Sequence, residues 1–222
     1  MIKNDAWIKE AASQGLIKPF EPALVRRIQL QSNGSQNGSQ NGSQNGSQNG
    51  NPSPQNNLET PVISYGLSSY GYDIRLSPNE FRIFRHIPGT VIDPKNFNPD
   101  NLEPTALRED ENGSYFILPA HSYGLGVALE RLQMPNNITT ICIGKSTYAR
   151  CGIIANLTPA EAGWRGYLTL EFSNSSSADC RIYANEGVVQ LLFLEGEPCE
   201  VSYETRRGKY QDQPEAVTIA RV

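Results

Sequence analysis

The sequence predicts a mainly β protein, a sandwich or barrel of many short strands. Two observations carry this. From Ile63 onward, short apolar runs recur at residues 81–84, 115–118, 123–129, 138–143 and 152–157, with Pro88, Pro94, Pro99, Pro104, Pro119 and Pro135 among them. Short strands separated by Gly/Pro turns are the signature of a layered or closed antiparallel fold. The second observation is alternation. In S-S-Y-G-Y-D-I-R-L, Tyr72, Ile74 and Leu76 fall on one side and Asp73 and Arg75 on the other, a period of two. Asp73 and Arg75 read as a structural ion pair.

At 222 residues the chain is long enough for one domain with a real core. Asn4 or Asp5 can cap a short helix through about Ser13, with Trp7, Ile8 and Ala11 on one face and Gly15 placed to end it. Residues 24–30 form an apolar-basic run with strand character. Then S-Q-N-G repeats over residues 35–50, followed by N-P-S-P-Q-N-N. This tract has nothing to bury and reads as a coil inserted in a surface loop. The expected organisation is therefore one domain over 1–222, interrupted by a low-complexity insertion at about 32–57. Residues 93–113 read as an acidic surface excursion. Runs at 182–183, 188–194 and 199–203 complete the β part, and the chain after Arg206 is a polar tail.

The formal net charge is -4, from 19 Lys and Arg against 23 Asp and Glu. That field attracts neither nucleic acid nor a free nucleotide, so an anionic ligand needs a local basic cluster or a metal ion. Lys3 is followed by no long apolar run, and residues 188–194 are too short to span a bilayer and are interrupted by Gln190. The expectation is a cytoplasmic protein without a membrane partner. Cys142, Cys151, Cys180 and Cys199 form no C-x-x-C pair and read as free buried thiols in a reducing compartment.

The chain is organised around residues 144–174. Its first part, G-K-S-T-Y-A-R-C-G, gathers Lys145, Arg150 and the hydroxyls of Ser146 and Thr147 within seven residues. A phosphate-loop reading fails: it needs Gly where Thr139 stands and a helix where an apolar, β-branched run follows. The last part, R-G-Y-L-T-L-E-F-S-N, alternates as a strand. Tyr167, Thr169, Glu171 and Ser173 share one face, and Leu168, Leu170 and Phe172 the other. Glu is depleted in strands, so Glu171 is either solvated or held for a purpose. Gln190 is a lone amide in an apolar run, to be satisfied by the core or by a ligand.

G-K-S-T-Y-A-R-C-G-I-I, T-L-E-F-S-N, A-N-E-G-V-V-Q, G-K-Y-Q-D-Q and S-S-Y-G-Y-D-I-R-L together resemble the dCTP deaminase family, in the family's order and over most of the chain. The resemblance implies a dUTPase-like distorted β-barrel or jelly-roll with a short N-terminal helix and a mobile C-terminal tail. It implies a homotrimer that hydrolyses dCTP to dUTP and ammonia, with magnesium on the substrate triphosphate and no zinc. Glu171 matches the catalytic Glu, and Ser146 and Arg150 match residues beside the reacting centre. Lys145, Ser146, Thr147, Tyr148, Ala149 and Arg150 match the nucleotide-binding segment, and Thr169 and Leu170 match positions whose backbone meets the base. Glu161, Gln190, Tyr203, Lys209 and Gln213 match further substrate contacts, the last three from the tail. Zinc deaminases carry H-x-E and P-C-x-x-C. Here the histidines are His86 and His121, and His121 is followed by Ser122 and Tyr123.

Three residues depart from the family pattern. Lys145 replaces an Arg found in some relatives, which exchanges a fork for a point charge. Glu161 stands where relatives carry Asp. Asp212 stands where Gly is common, and because Asp tolerates a left-handed backbone the turn is expected to survive. Two other readings remain: a bifunctional enzyme that carries dUTP on to dUMP, against which L-T-P-A-E at 157–161 speaks, and a non-catalytic nucleotide-binding relative.

Overall fold

The computed structural model describes residues 1–29, 59–85 and 87–222. Helix α1 (Asp5–Ser13) begins where the sequence placed it, with the Asn4 side chain accepting from Trp7 N at 3.1 Å. Gly15, at φ +103°, follows its end. Ile8 and Ala12 are buried, and Trp7 and Ala11 pack against the core.

Most of the remainder is antiparallel β. The main sheet has the order β10 (Ile153–Ala155), β11 (Arg165–Asn174), β8 (Tyr123–Gln133), β4 (Gly71–Phe84), β13 (Gly187–Glu195) and β9 (Ile138–Gly144). Side branches add β1 (Ile17–Lys18) on β8, β5 (Leu102–Pro104) on β4, and β2 (Leu24–Gln29) on β3 (Glu59–Ser68), which pairs with β4. A second sheet has the order β12 (Cys180–Tyr183), β7 (Gly113–Leu118), β6 (Arg108–Asp110). The long strand β4 joins the two halves of the main sheet. Its start pairs with β3 and β13, a register shift falls between Leu76 and Phe81, and its end pairs with β8 and β5. Phe81 stacks on Phe116 of the second sheet at 5.2 Å and on Phe172 of β11 at 5.8 Å, tying the layers around one core.

The mainly β expectation holds, but among the described residues the sheet is an open path ending at β9 and β10 rather than a closed barrel. Other expectations need correction. Residues 199–203 form no strand. Residues 93–113 are more than an excursion, because β5 and β6 lie there and Leu102 is buried. None of the four cysteines is fully buried, and Cys151 and Cys199 are exposed. Asp73 and Arg75 do not pair with each other. Asp73 meets Lys145, while Arg75 donates to the fully buried Glu130 through Nε at 2.7 Å and through its backbone N at 2.8 Å. Burial raises the Glu130 carboxyl, and the Arg75 contacts oppose that. The low-complexity tract and His86 lie outside the described residues. The β2–β3 register sets Gln29 opposite Glu59.

Candidate active site

Strand β11 builds the floor of the site. Its residues alternate half-buried and buried from Arg165 to Asn174, so Thr169 and Glu171 face a cavity while Leu170 and Phe172 are fully buried behind them. The cavity measures about 730 Å³. Tyr123 and Leu125 of β8, the 157–164 connection and the C-terminal segment complete its walls, with Phe84 and Phe97 at one side.

Glu171 is the carboxylate of that floor. Burial alone pushes its pKa up to about 7 from an ordinary value near 4.5. Leu125 lies opposite Glu171 across the β8–β11 ladder, and Tyr123 lies opposite Ser173. The Tyr123 phenol is pushed up to about 12, first by burial and then by the charge of Glu171. A carboxyl poised near neutrality in a half-apolar cavity can take a proton from water and return it.

The backbone of β11 offers a second feature. On the edge away from β8, β10 pairs with Phe172 to Asn174, and Asn156 N donates to the Glu171 carbonyl at 2.9 Å. Further along, Tyr167 N donates to the Gln213 carbonyl at 3.1 Å. Between these, Leu168 to Leu170 have no ladder partner on that edge among the described residues. A register shift between Tyr167 and Thr169 adds to the irregularity. An unpaired stretch of strand edge is a template for a planar ligand with donors and acceptors of its own.

Of the residues singled out from sequence, the cavity brings together Glu161, Thr169, Glu171, Tyr203, Lys209 and Gln213. Glu161 pairs with Arg206, Lys209 Nζ donates to the Arg221 carbonyl at 2.6 Å, and the Tyr203 hydroxyl accepts from Tyr210 N at 3.0 Å. Thr169 Oγ1 accepts from Thr218 N at 3.1 Å. The tail is thus docked on the cavity. Asp212 takes φ +57°, as its place in the turn requires.

The other group stands apart. Helix α2 (Ser146–Ala149) follows β9, and Ser146, Thr147, Ala149 and Arg150 are exposed and do not line the cavity. Tyr148 is buried in the core, where its hydroxyl accepts from Tyr183 N at 2.8 Å. Lys145 Nζ lies 2.5 Å from Asp73 Oδ2 and donates to Ser64 Oγ at 3.2 Å. Gln190 lies opposite Asp73 on one side and Ile143 on the other. Within one chain, then, Ser146 and Arg150 do not share the Glu171 cavity. Sequence reasoning left out Arg206, Tyr123 and Trp164. Arg206 stands at the start of the polar tail, three residues after Tyr203, and sets its guanidinium over that ring at 5.0 Å. Among the described residues no three or more His, Cys, Asp or Glu side chains converge on a metal-sized site, and no helix is long and apolar enough to cross a membrane.

Comparison with known proteins fits this arrangement. The family model described as dCTP deaminase-like matches residues 54–196. The dCTP deaminase of Albidiferax ferrireducens is 45% identical over 222 residues, covering 99% of this chain and 98% of its own. That of Acidithiobacillus ferrooxidans is 45% identical over 214 residues, covering 96% and 95%. The crystal structure of 2'-deoxycytidine 5'-triphosphate deaminase from Agrobacterium tumefaciens aligns with a TM-score of 0.51 at 12% identity. It covers 88% of this chain and 48% of that one, a likeness of fold in a protein about twice the matched length. Identity at this level from end to end, with the family match across most of the sequence, decides the matter: the chain belongs to the dCTP deaminase family.

Proposed function

We propose that the protein hydrolyses dCTP to dUTP and ammonia, with Glu171 as general base and proton shuttle. The observation that carries this is Glu171 on the cavity floor, half-buried and raised to about 7, beside an unpaired strand edge. The cytosine ring docks on that edge through the Thr169 and Leu170 backbone. Water adds to C4 as Glu171 takes its proton and delivers it to ring N3. Glu171 then takes the proton of the new C4 hydroxyl and passes it to the amino group, which leaves as ammonia. The C4–O bond made and the C4–N bond broken balance the reaction. Lys209, Gln213 and Tyr203 serve the nucleotide from the tail side, and Glu161 from the connection.

The reaction runs without zinc in this reading. The sequence lacks the H-x-E and P-C-x-x-C ligand sets, so the water is activated by a carboxylate. Magnesium enters as the counter-ion of the triphosphate, consistent with its preference for phosphate oxygens.

Ser146, Arg150, Lys145 and Gln190 reach the reacting centre from another copy of the chain in a homotrimer. One feature of the chain supports this: Ile141, Ile143 and Ile154 are 45%, 40% and 55% exposed on β9 and β10, next to the turn that carries Ser146 and Arg150. Light scattering is expected to give three times the 24.5 kDa chain mass. Incubation with dCTP and magnesium should release ammonia and dUTP in equal amounts. Accumulation of dUMP and pyrophosphate would favour the bifunctional reading, and binding without ammonia release would leave a non-catalytic relative.

A further inference from the structure

The segment from Tyr203 onward is fastened to the sheet on two sides of the cavity. On one side, Trp164 Nε1 donates to the Tyr210 carbonyl at 2.7 Å and Asp212 N donates to the Arg165 carbonyl at 3.0 Å. On the other, Glu215 Oε1 accepts from Ser77 Oγ at 3.0 Å and from Asn79 Nδ2 at 2.7 Å, and Val217 N donates to Glu80 Oε2 at 2.7 Å.

One fastening differs in kind. Arg165, at the start of β11, donates through Nε to Asp212 Oδ1 at 2.5 Å and through Nη2 to Asp212 Oδ2 at 3.0 Å. Its Nη1 donates to Glu204 Oε1 at 2.6 Å. A single guanidinium therefore holds both ends of the 204–212 segment. Asp212 does this from φ +57°, a backbone conformation that glycine adopts without cost and aspartate does not. Its carboxylate is what a glycine there would lack. Exposed ion pairs contribute little as a rule, but a bidentate fork shared with a second carboxylate is the geometry that does contribute.

We infer that Arg165 is a positioning residue for the reaction: its fork to Asp212 and Glu204 clasps the tail so that Lys209 and Gln213 are presented to the nucleotide. Lys209 lies three residues before Asp212 and Gln213 one after, so both inherit its placement. Gly166, at φ +138°, makes the approach possible, because a Cβ there would lie 2.6 Å from Gln213 N. The inference rests on reading the cavity as the nucleotide site. If the clasp opens, binding must first re-order the tail, and apparent affinity falls by the fraction of time spent open.

The test uses three variants of the full chain. Asp212→Asn keeps the size and the tolerance of a left-handed backbone but removes the charge. Arg165→Gln removes the fork, and Arg165→Lys keeps the charge without it. Asp212→Asn and Arg165→Gln should each raise KM for dCTP roughly three- to tenfold, with kcat held within about twofold. Arg165→Lys should fall between these and wild type. The gap should narrow at an ionic strength of ~0.5 M, where exposed pairs are screened. A second readout needs no substrate: amide exchange at Tyr167 and Asp212, whose N–H groups hold the tail, should speed up in Asp212→Asn. Unchanged exchange at both amides would overturn the clasp. Faster exchange with unchanged KM, or a loss confined to kcat, would overturn its role in presenting the nucleotide. Failure of the wild type to deaminate dCTP would sink the reading of the site, and the exchange result would still decide the clasp.

Discussion

The residues that match the family's site fall into two regions with opposite characters. The cavity region is built on β11, the second strand of the main sheet, and is lined by buried and half-buried groups. The turn region follows β9, the last strand in the order of the same sheet, and its Ser146, Thr147 and Arg150 are exposed. In the first, burial is the sole cause of the Glu171 shift, and the cavity's cations, Arg206 and Lys209, are engaged by Glu161 and the Arg221 carbonyl. The second has a cation and hydroxyls but no cavity. In the proposed trimer the two regions meet across a subunit boundary, each folding in its own environment.

The strongest test of the cavity region is Glu171→Gln, which keeps the shape and cannot accept the proton. Turnover should fall by at least ~10²–10⁴-fold while folding, assembly and dCTP binding persist. A folded, binding variant within a few-fold of wild type would mean that Glu171 is not the base. The next test addresses the division itself. If Glu171 comes from one copy and Arg150 from the next, Glu171→Gln and Arg150→Ala chains each keep only a small residual activity alone. Refolded together in equal amounts, they should regain roughly a quarter of wild-type activity, because random cyclic assembly unites both intact groups in about one site in four. No recovery despite mixed assembly would place both groups in the same chain's site.

The acid limb of the pH profile sharpens the comparison further. The base works ionised, so kcat/KM should fall as pH drops through the pKa of Glu171, about 7 when burial acts alone. A neighbour's guanidinium favours the carboxylate and moves the limb lower. Arg150→Ala should then shift the limb of the residual activity upward, toward 7. Stability follows the same group with the opposite sense. The Glu171 pKa is higher in the folded chain than its ordinary 4.5, so the folded state binds the extra proton. Its contribution is fully present below about pH 4.5 and is lost as pH rises through about 7. Glu171→Gln should therefore melt a few degrees above wild type at pH 8 and no higher at pH 4, measured by calorimetry.

Much of this was legible in the sequence, and the reasons differ from part to part. The alternation of Tyr167 to Ser173 gave the faces of β11 correctly, because a strand has a period of two whatever packs on it. Asn4 and Gly15 marked the ends of α1 for equally local reasons. The partners of Asp73 and Arg75 were not legible. Two charges on one strand face look like a pair until the fold brings Lys145 to one and Glu130 to the other. Arg206 was missed because a tail cation is ordinarily solvated, and only the docked tail sets it against Glu161. The separation of Ser146 and Arg150 from Glu171 was equally hidden, since motif spacing carries no distance in space.

The smallest expected effect concerns the S-Q-N-G tract, which precedes β3, the strand that meets Lys145 of the turn region. Strand β3 leaves the tract at Glu59 and five residues later places Ser64 against Lys145 Nζ, 3.2 Å away. Its Ile63 N also donates to Glu186 Oε2 at 2.6 Å. Those contacts depend on the β2–β3 register, which pairs Leu24 with Gly66, Val25 with Tyr65 and Gln29 with Glu59. The tract closes that hairpin, and its length enters only through loop entropy, about 0.6 kcal/mol per doubling. Replacing residues 33–57 with a short Gly/Ser linker therefore shortens a loop without moving the ladder. Assembly by light scattering and dCTP turnover should both stay within about twofold of wild type. A loss of assembly with an intact monomer fold would show that the tract helps shape the turn region and its contact with a second chain. A loss of turnover in an intact trimer would instead reach the chemistry through Ser64 and Lys145, and would make Lys145 a more important ligand than its contact with Asp73 suggests.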